Sequence, residues 1–421
     1  MKRPACNICE SRRLREILNL GKHPLADTFL TANRFEDAET HFPLALAECE
    51  DCGHVLTKYY IPPAKRYVES EYSYDSSNSP VSRAHFREFA GDIVKTYKSL
   101  FGGRLPRRAT DIGSSVGTLL SYMANDFGIS VVGIEPSANI AALAVANGVP
   151  TVCALFDEGI KSRPEFEPGS LDVVASTNVV NHIDDLRLMM AVIDDITSDE
   201  ALLSFEVPYL GALLQQNAFD TVYHEHVNYF SIRAITRLLE EWGFRLAHLE
   251  KIAYMGGSIR VYGVRKGQAS DLMPPIAGLL AQEDRFFQSN PRWREDFRAD
   301  VLNVKRRLLA FVHREHLRGS RICCIGAATK GNTLLNYCKL DSDTVTVCCD
   351  VSALKVGKRM PGSAIPIVHD DELGPDWDYA IVLPWNLSDF LIDKFRSSGL
   401  SLIFPIQGYI INKDGKIESL A

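Results

Sequence analysis

Two Cys-x-x-Cys pairs within the first 52 residues constrain the fold of this chain more than any other feature. Cys6 and Cys9 flank Asn-Ile, and Cys49 and Cys52 flank Glu-Asp. Each pair can turn two thiolates toward one ion, and two pairs complete a tetrahedral zinc site. Four sulfur ligands leave no open coordination position, so the expected metal is structural. The alternative is four unrelated cysteines, which two such pairs so close together make hard to obtain by chance. Thirty-nine residues separate the pairs, more than a compact zinc ribbon needs. The insertion must therefore form structure of its own, around Pro24, Pro43 and the apolar run 43–47. His54 lies nearby but is surplus to a complete ligand set.

A chain of 421 residues has room for about three domains at ~150 residues each. Hydrophobic residues at 46% and charged residues at 24% are ordinary for globular domains with full cores. The net charge is −7 and no long basic run occurs, so neither a nucleic acid nor a membrane surface is an expected partner. The opening Met-Lys-Arg-Pro-Ala-Cys lacks the apolar stretch of a secretory leader, and no run approaches ~20 apolar residues. The expected location is the cytoplasm. In that reducing compartment the ten cysteines are not a disulfide framework. Cys323, Cys324, Cys348 and Cys349 lie in apolar strand-like runs and read as small buried hydrophobes.

Past the cysteines, Arg108-Ala-Thr-Asp-Ile-Gly113-Ser-Ser-Val-Gly117 reads as a strand ending in a tight turn, with a helix over 118–127. Glycines let the backbone pass close to a ligand at the helix start. A second strand, Val131-Val-Gly-Ile-Glu135, ends in an acid. It lies 18 residues beyond Gly117, near the distance at which a βαβ unit sets a carboxylate on a ribose hydroxyl. The dinucleotide pattern G-x-G-x-x-G is absent, as is a phosphate-binding lysine. That suits S-adenosylmethionine, which has a ribose but no pyrophosphate. Strands over 171–176 and 201–207, with a helix over 184–196 between them, predict a doubly wound parallel sheet. A sheet with purely structural turns is the alternative.

The run Tyr223-His224-Glu225-His226-Val-Asn-Tyr229 is dense in proton-transfer groups. If extended, Tyr223, Glu225 and Val227 share one face and His224 and His226 the other; a loop would relax that rule. Histidine accepts a proton near neutral pH, a neighbouring carboxylate can orient it, and a phenol can stabilise an oxyanion. These groups suit proton removal beside a carbonyl. The H-x-H spacing also allows a metal, or a purely structural pair. His182 follows the 171–176 strand and should reach the sheet's C-terminal rim, where ligands collect.

The last third opens with a charged, helix-like stretch over 271–316. Arg321-Ile-Cys-Cys-Ile-Gly326 then leads into Lys330-Gly-Asn332-Thr-Leu-Leu-Asn336, another strand–turn–helix. A strand over 344–350 ends in an acid, and Tyr379-Ala-Ile-Val-Leu383 precedes Pro-Trp-Asn386. This predicts a second, smaller α/β domain. Lys330 and Asn332 near a helix start could meet a phosphate or sugar, or simply cap the turn.

These residues resemble a known family, the zinc-containing, S-adenosylmethionine-dependent sugar C-methyltransferases of unusual deoxysugar pathways. The resemblance spans nearly the whole chain. It rests on the cysteine pairs, Tyr72-Ser-Tyr74, Ala84-His85-Phe86, Gly133-Ile-Glu135-Pro, Asn178 with Asn181-His182, and Glu206-Val-Pro-Tyr209. Tyr223-His-Glu-His226, Met255-Gly-Gly-Ser258-Ile-Arg260, the Lys330 to Asn336 run and Pro384-Trp-Asn386 complete it.

The resemblance implies three parts: a zinc module over 1–70, a Rossmann-like methyltransferase domain over 71–268, and a smaller Rossmann-like α/β domain over 269–421 that helps hold a nucleotide sugar. It implies Gly113, Ser115, Gly117, Glu135 and Asn178 on the cofactor. His226 would be the base, with Tyr223, Glu225 and His182 around the sugar, and Tyr74, His224, Lys330, Asn332 and Asn386 binding substrate. The implied reaction is methyl transfer to C-3 of a nucleotide-linked 4-keto-6-deoxyhexose, by a monomer or weak dimer. Sugar O- or N-methylation and a noncatalytic zinc-anchored sugar-nucleotide binder remain as alternatives. One departure is Ser115-Val116, where the family usually carries a polar pair such as Asn-Asp.

Overall fold

Apolar strand-forming runs bracket the cysteine pairs and pair with one another. In the computed structural model, which describes residues 1–67, 77, 79–267, 275–374 and 376–420, Leu14–His23 lies antiparallel to Phe42–Cys49 with Leu14 opposite Cys49. That register brings the two cysteine turns to one end of the sheet. Val55–Thr57 adds a third strand. The fourth, Asn228–Tyr229, arrives from far along the chain and sets Asn228 opposite Leu56. Tyr74 lies outside the described residues.

The middle of the chain forms a seven-stranded sheet. Its parallel part runs Thr197–Pro208, Leu171–Thr177, Arg108–Ile112, Ser130–Ile134, Thr151–Val152. Phe244–Ile252 and Ser258–Arg265 extend it antiparallel beside Thr197–Pro208. The strand order reverses at Arg108–Ile112, so a crevice opens beyond its C-terminal end, where open α/β sheets bind ligands.

Helix Pro80–Leu100 starts with Ser79, which accepts from Ser82 N at 3.0 Å, and a proline follows at the first helical position. It buries Phe86, Phe89, Ile93 and Tyr97 at three- and four-residue spacing against Ala109, Leu119 and Val173 of the sheet layer. Helix Leu186–Ile196 covers the opposite face with Met189, Met190 and Ile193. The expected helix over 184–196 begins two residues later, because Asp185 caps it by accepting from Leu188 N at 2.9 Å.

The last third builds a sheet of the same handed order. Ile367–His369, Cys348–Asp350, Ile322–Ile325, Tyr379–Val382 and Ser401–Phe404 are parallel, and Tyr409–Ile411 and Ile417–Ser419 complete it antiparallel. The strand expected over 344–350 shortens to its last three residues. Within the stretch expected to be helical, the described residues form two helices, Pro275–Ser289 and Trp293–Leu317. The second buries Phe297, Val301, Val304 and Leu308, and it shares one apolar cluster with Ile17, Leu44 and Leu46 of the first sheet and Ile381 of the last. The N-terminal module and the C-terminal domain therefore close one core. Cys323, Cys324, Cys348 and Cys349 are fully buried within it. Among the described residues, no helix is long and apolar enough to cross a membrane.

Candidate active site

The four cysteines converge. Sγ of Cys6 and Cys52 are 3.6 Å apart, those of Cys9 and Cys49 are 3.5 Å apart, and all four lie within 4.8 Å of one another. A tetrahedral site with Zn–S bonds of ~2.3 Å has edges of about 3.8 Å, so this donor set fits zinc with no position left over. His54 is not idle: it is fully buried, and its Nε2 contacts Asn228 Oδ1 at 3.0 Å.

At the crevice of the central sheet, Gly113 and Gly117 hold φ of +70° and +82°. A Cβ there would come within 2.5 Å of Val179 and 2.8 Å of Val149 respectively. Only glycine closes this turn. Ser115 and Asn178 also take left-handed conformations, with φ of +50° and +55°, which side chains other than glycine rarely adopt outside functional turns. Glu135 accepts from Ser115 N at 3.1 Å and from Ser137 N at 2.9 Å. These bonds fix the acid to the glycine turn and leave carboxylate lone pairs free for ribose hydroxyls. Burial raises its pKa, and the two N–H groups oppose that rise.

Two further polar atoms at this rim, Asn178 Oδ1 and Asp111 Oδ1, are buried without a partner. Burial, reinforced by the charges of Glu135 and Glu206, pushes Asp111 up to about 8. A tight turn that only glycine can close, an anchored acid and orphaned buried acceptors fit S-adenosylmethionine. Val116 points into the core, so the Ser115-Val116 departure exchanges a polar side chain for packing. Asp111 escaped the sequence reading, although an acid inside an apolar strand just before the glycine turn was its signal.

Removing the Glu135 carboxylate should weaken cofactor binding by about 1.5–3 kcal/mol, the usual worth of a hydrogen bond to a charged group. Calorimetric titration of Glu135→Ala with S-adenosylmethionine checks this. Unchanged affinity would refute the assignment.

The Tyr223 segment is not a strand. It leaves the short 3-10 turn Phe219–Thr221 and turns again, with His226 N donating to Tyr223 O at 3.1 Å. The expected alternation of faces is therefore corrected. Tyr223 and His226, three apart, meet, with Tyr223 Oη 2.5 Å from His226 Nε2 and ring centroids 3.9 Å apart. His226 Nδ1 lies 2.9 Å from Thr221 O. A carbonyl can only accept, so Nδ1 carries the hydrogen and Nε2 presents its lone pair. Burial holds His226 down to about 4, and the Thr221 carbonyl opposes this.

His182, on the turn Val180–His182, packs edge-on against His226 at 4.9 Å. Its Nδ1 is 2.8 Å from Tyr67 Oη. Burial first, then the charges of His226 and Arg66, push its pKa well down. Tyr223, His226 and His182 are each half-buried.

Their neighbours lie elsewhere. Glu225 does not touch the His226 ring: its Oε1 accepts from Asp27 N at 3.4 Å and Oε2 is buried without a partner. Burial and then the Asp27 charge raise it to about 7. The Thr221 carbonyl, not Glu225, orients the histidine. His224 turns the other way, edge-on to Phe42, and is buried. Arg66, which the sequence did not single out, is buried, forms an ion pair with Asp184, and reaches the His182 carbonyl at 3.3 Å. Nothing local in Ala-Lys-Arg66-Tyr67 flagged this pair.

In the C-terminal domain, Lys330 Nζ sits 3.9 Å from the centre of the Trp385 ring and donates to Asn386 Oδ1 at 2.5 Å. Trp385 Nε1 donates to the buried Asp220 at 2.7 Å. Burial lowers Lys330 to about 8, opposed by Asp220. An amine in so dry a place suits an anionic ligand. Asn332 does not join it. Two residues further on, it faces about 200° round the helix and donates to Ala26 O at 2.7 Å inside the seam with the zinc module.

Comparison with known proteins follows the same three parts. Residues 6–67 match a family model for a zinc binding domain, 83–249 one for a methyltransferase domain, and 253–406 one for a C-methyltransferase C-terminal domain. C-methyltransferase NovU of Streptomyces niveus is 29% identical over 405 residues, 95% of each chain. Phosphoethanolamine N-methyltransferase 3 of Arabidopsis thaliana is 29% identical over 95 residues, 22% of this chain and 19% of that one. Among solved structures, geranyl diphosphate C-methyltransferase from Streptomyces coelicolor A3(2) superposes with a TM-score of 0.34 and 13% identity, over 44% of this chain and 81% of that one. The class is therefore a methyltransferase that uses S-adenosylmethionine. More narrowly, the order of the three matches, a zinc binding domain, a methyltransferase domain and a C-methyltransferase C-terminal domain, makes the chain similar to zinc-containing C-methyltransferases over nearly its whole length.

Proposed function

We propose that this chain methylates C-3 of a nucleotide-linked 4-keto-6-deoxyhexose, with His226 as the base. The observation that carries the reading is the Tyr223–His226 pair, in which Nδ1 is fixed on a carbonyl and Nε2 is left basic beside a phenol at 2.5 Å. A hydrogen on carbon is released only to a positioned base next to an electron-withdrawing group, here the C-4 ketone. His226 receives the C-3 proton, and Tyr223 shifts its hydroxyl from Nε2 to the developing enolate oxygen. Bound S-adenosylmethionine supplies an electrophilic methyl group. The residues around it place donor and acceptor carbon together and keep water out. Methylation of oxygen or nitrogen would need no such carbon acid.

The division of labour we read is zinc over 1–70, cofactor over 71–268 and nucleotide sugar over 269–421. Lys330 and Asn386 face the diphosphate and sugar, an assignment that rests on the largely buried lysine held against Trp385 and Asn386. His182, Tyr67 and Arg66 border the sugar on the other side.

The low pKa of His226 has a testable sign. A base must be neutral to act, so the rate falls only as pH drops through its folded value of about 4. An unperturbed histidine would bend the profile near ~6.5. The acid limb of kcat/KM, which reports the free enzyme, should stay level from neutral pH to about pH 5.5. Initial rates across that range are the check, and a limb bending near ~6.5 would move the base to a solvated group.

A further inference from the structure

We infer that Asn228 is a positioning residue that couples the zinc knuckles to the two histidine-bearing turns of the site. This rests on reading His226 as the base. Asn228 is 1% exposed, and its amide uses its full hydrogen-bonding capacity. Nδ2 donates to Ile183 O at 2.7 Å and to Val180 O at 3.4 Å, and those two carbonyls flank His182. Oδ1 accepts from Asn7 Nδ2 at 2.9 Å and from His54 Nε2 at 3.0 Å. Asn7 lies between Cys6 and Cys9, and His54 lies two residues beyond Cys52.

One side chain thus touches both knuckles with its acceptor and the His182 turn with its donors. The backbone repeats the link. Thr57 N donates to Val227 O at 2.8 Å, and Val227 N donates to Asn181 O at 2.8 Å. The third strand of the zinc sheet, the His226 segment and the His182 turn are laced in series, with His226 two residues from the node. An ion pair from Arg3 to Asp184 runs alongside.

A structural zinc has no chemical reason to sit next to a carbon-acid site. Held by the four cysteines, it would fix the two turns that present Asn7 and His54. Those fix Asn228, and Asn228 fixes the separation of His182 from His226. A base displaced by about 1 Å loses on the order of a hundred-fold in rate.

The test is Asn228→Asp in the full-length, zinc-replete enzyme. Aspartate keeps the shape and the acceptor facing Asn7 and His54 but has no donors for Val180 and Ile183. The expected result is one zinc per chain and cofactor affinity within about two-fold, with kcat lowered about ten- to a hundred-fold. Thymidine diphosphate-linked 4-keto-6-deoxyglucose is the probe for turnover. Amide hydrogen exchange across 180–183, which needs no substrate, should speed up while that of the Arg108–Ile112 strand does not.

Asn7→Ala, at a partly exposed position, should lower kcat in the same direction by about three-fold with zinc retained. It decides the matter if the aspartate variant fails to fold. Loss of zinc or cofactor binding in step with kcat would overturn the proposal, since it would mark a merely structural asparagine. So would unchanged exchange across 180–183. His226→Asn, assayed beside them, separates the two readings. If it turns over normally the base assignment fails, and if it is inactive while Asn228→Asp is unaffected only the positioning role fails.

Discussion

His226→Asn should lower kcat by about 10²–10⁴-fold, the usual contribution of a positioned base, while cofactor affinity stays essentially unchanged. Asparagine can still meet the Thr221 carbonyl with its amide, so the turn survives, but it has no basic nitrogen to offer. Gly113, Gly117 and Glu135, the residues proposed to hold the cofactor, lie on the strand–turn–strand of residues 108–135, and the hydrogen bonds of Glu135 and of His226 have no partner in common. Proton removal can be followed apart from methyl transfer. With S-adenosylhomocysteine and the sugar nucleotide in deuterated water, the wild type should wash out the C-3 hydrogen and His226→Asn should not. Tyr223→Phe should still exchange, more slowly, because it loses only the enolate donor. If Tyr223→Phe is as dead as His226→Asn, the phenol itself carries the proton to the imidazole.

The second large effect is on the metal. Cys49→Ser should lose the zinc and, with it, the folded N-terminal module. Structural zinc sites contribute about 10–16 kcal/mol in small metal-folded domains, as much as a whole domain's net stability of about 5–15 kcal/mol. Cys49 is fully buried and ends the strand Phe42–Cys49, which pairs on both sides. Its loss therefore unzips the sheet to which the His226 segment is sewn at Leu56 and Asn228. Metal analysis of protein purified without added zinc should find about one equivalent in the wild type and far less in the variant. A wild type with less than half an equivalent, or a variant that keeps its metal, would contradict the assignment.

Much of this was legible from residues alone, because each readable feature is a local rule. Spacing of sulfur ligands, glycine where a turn has no room for Cβ, and an acid at the end of a strand all act within a few residues. What stayed hidden depends on distant partners. The apolar run 43–47 was visible, but nothing in it shows that Val55–Thr57 and Asn228–Tyr229 complete its sheet. The segment 223–229 has a strand-like composition, yet the turn at Thr221 bends it so that Tyr223 meets His226 across three residues. Glu225 and His224 were placed by alternation, and that rule fails once the segment is not extended. Asn332 looked like a rim residue because it neighbours Lys330 in sequence, but helix geometry sends it to the opposite side. Arg66, Tyr67 and Asp220 gain meaning only through partners more than a hundred residues away.

The most direct test follows the methyl group to its destination. The enzyme would be supplied with S-adenosylmethionine carrying a ¹³C methyl and with a nucleotide-linked 4-keto-6-deoxyhexose uniformly labelled with ¹³C in the sugar, and the product examined by NMR. A methyl carbon split by one-bond coupling to C-3 is the expected result. A methyl signal without carbon–carbon coupling, attached to oxygen or nitrogen, would contradict the carbon-acid mechanism and the role given to His226.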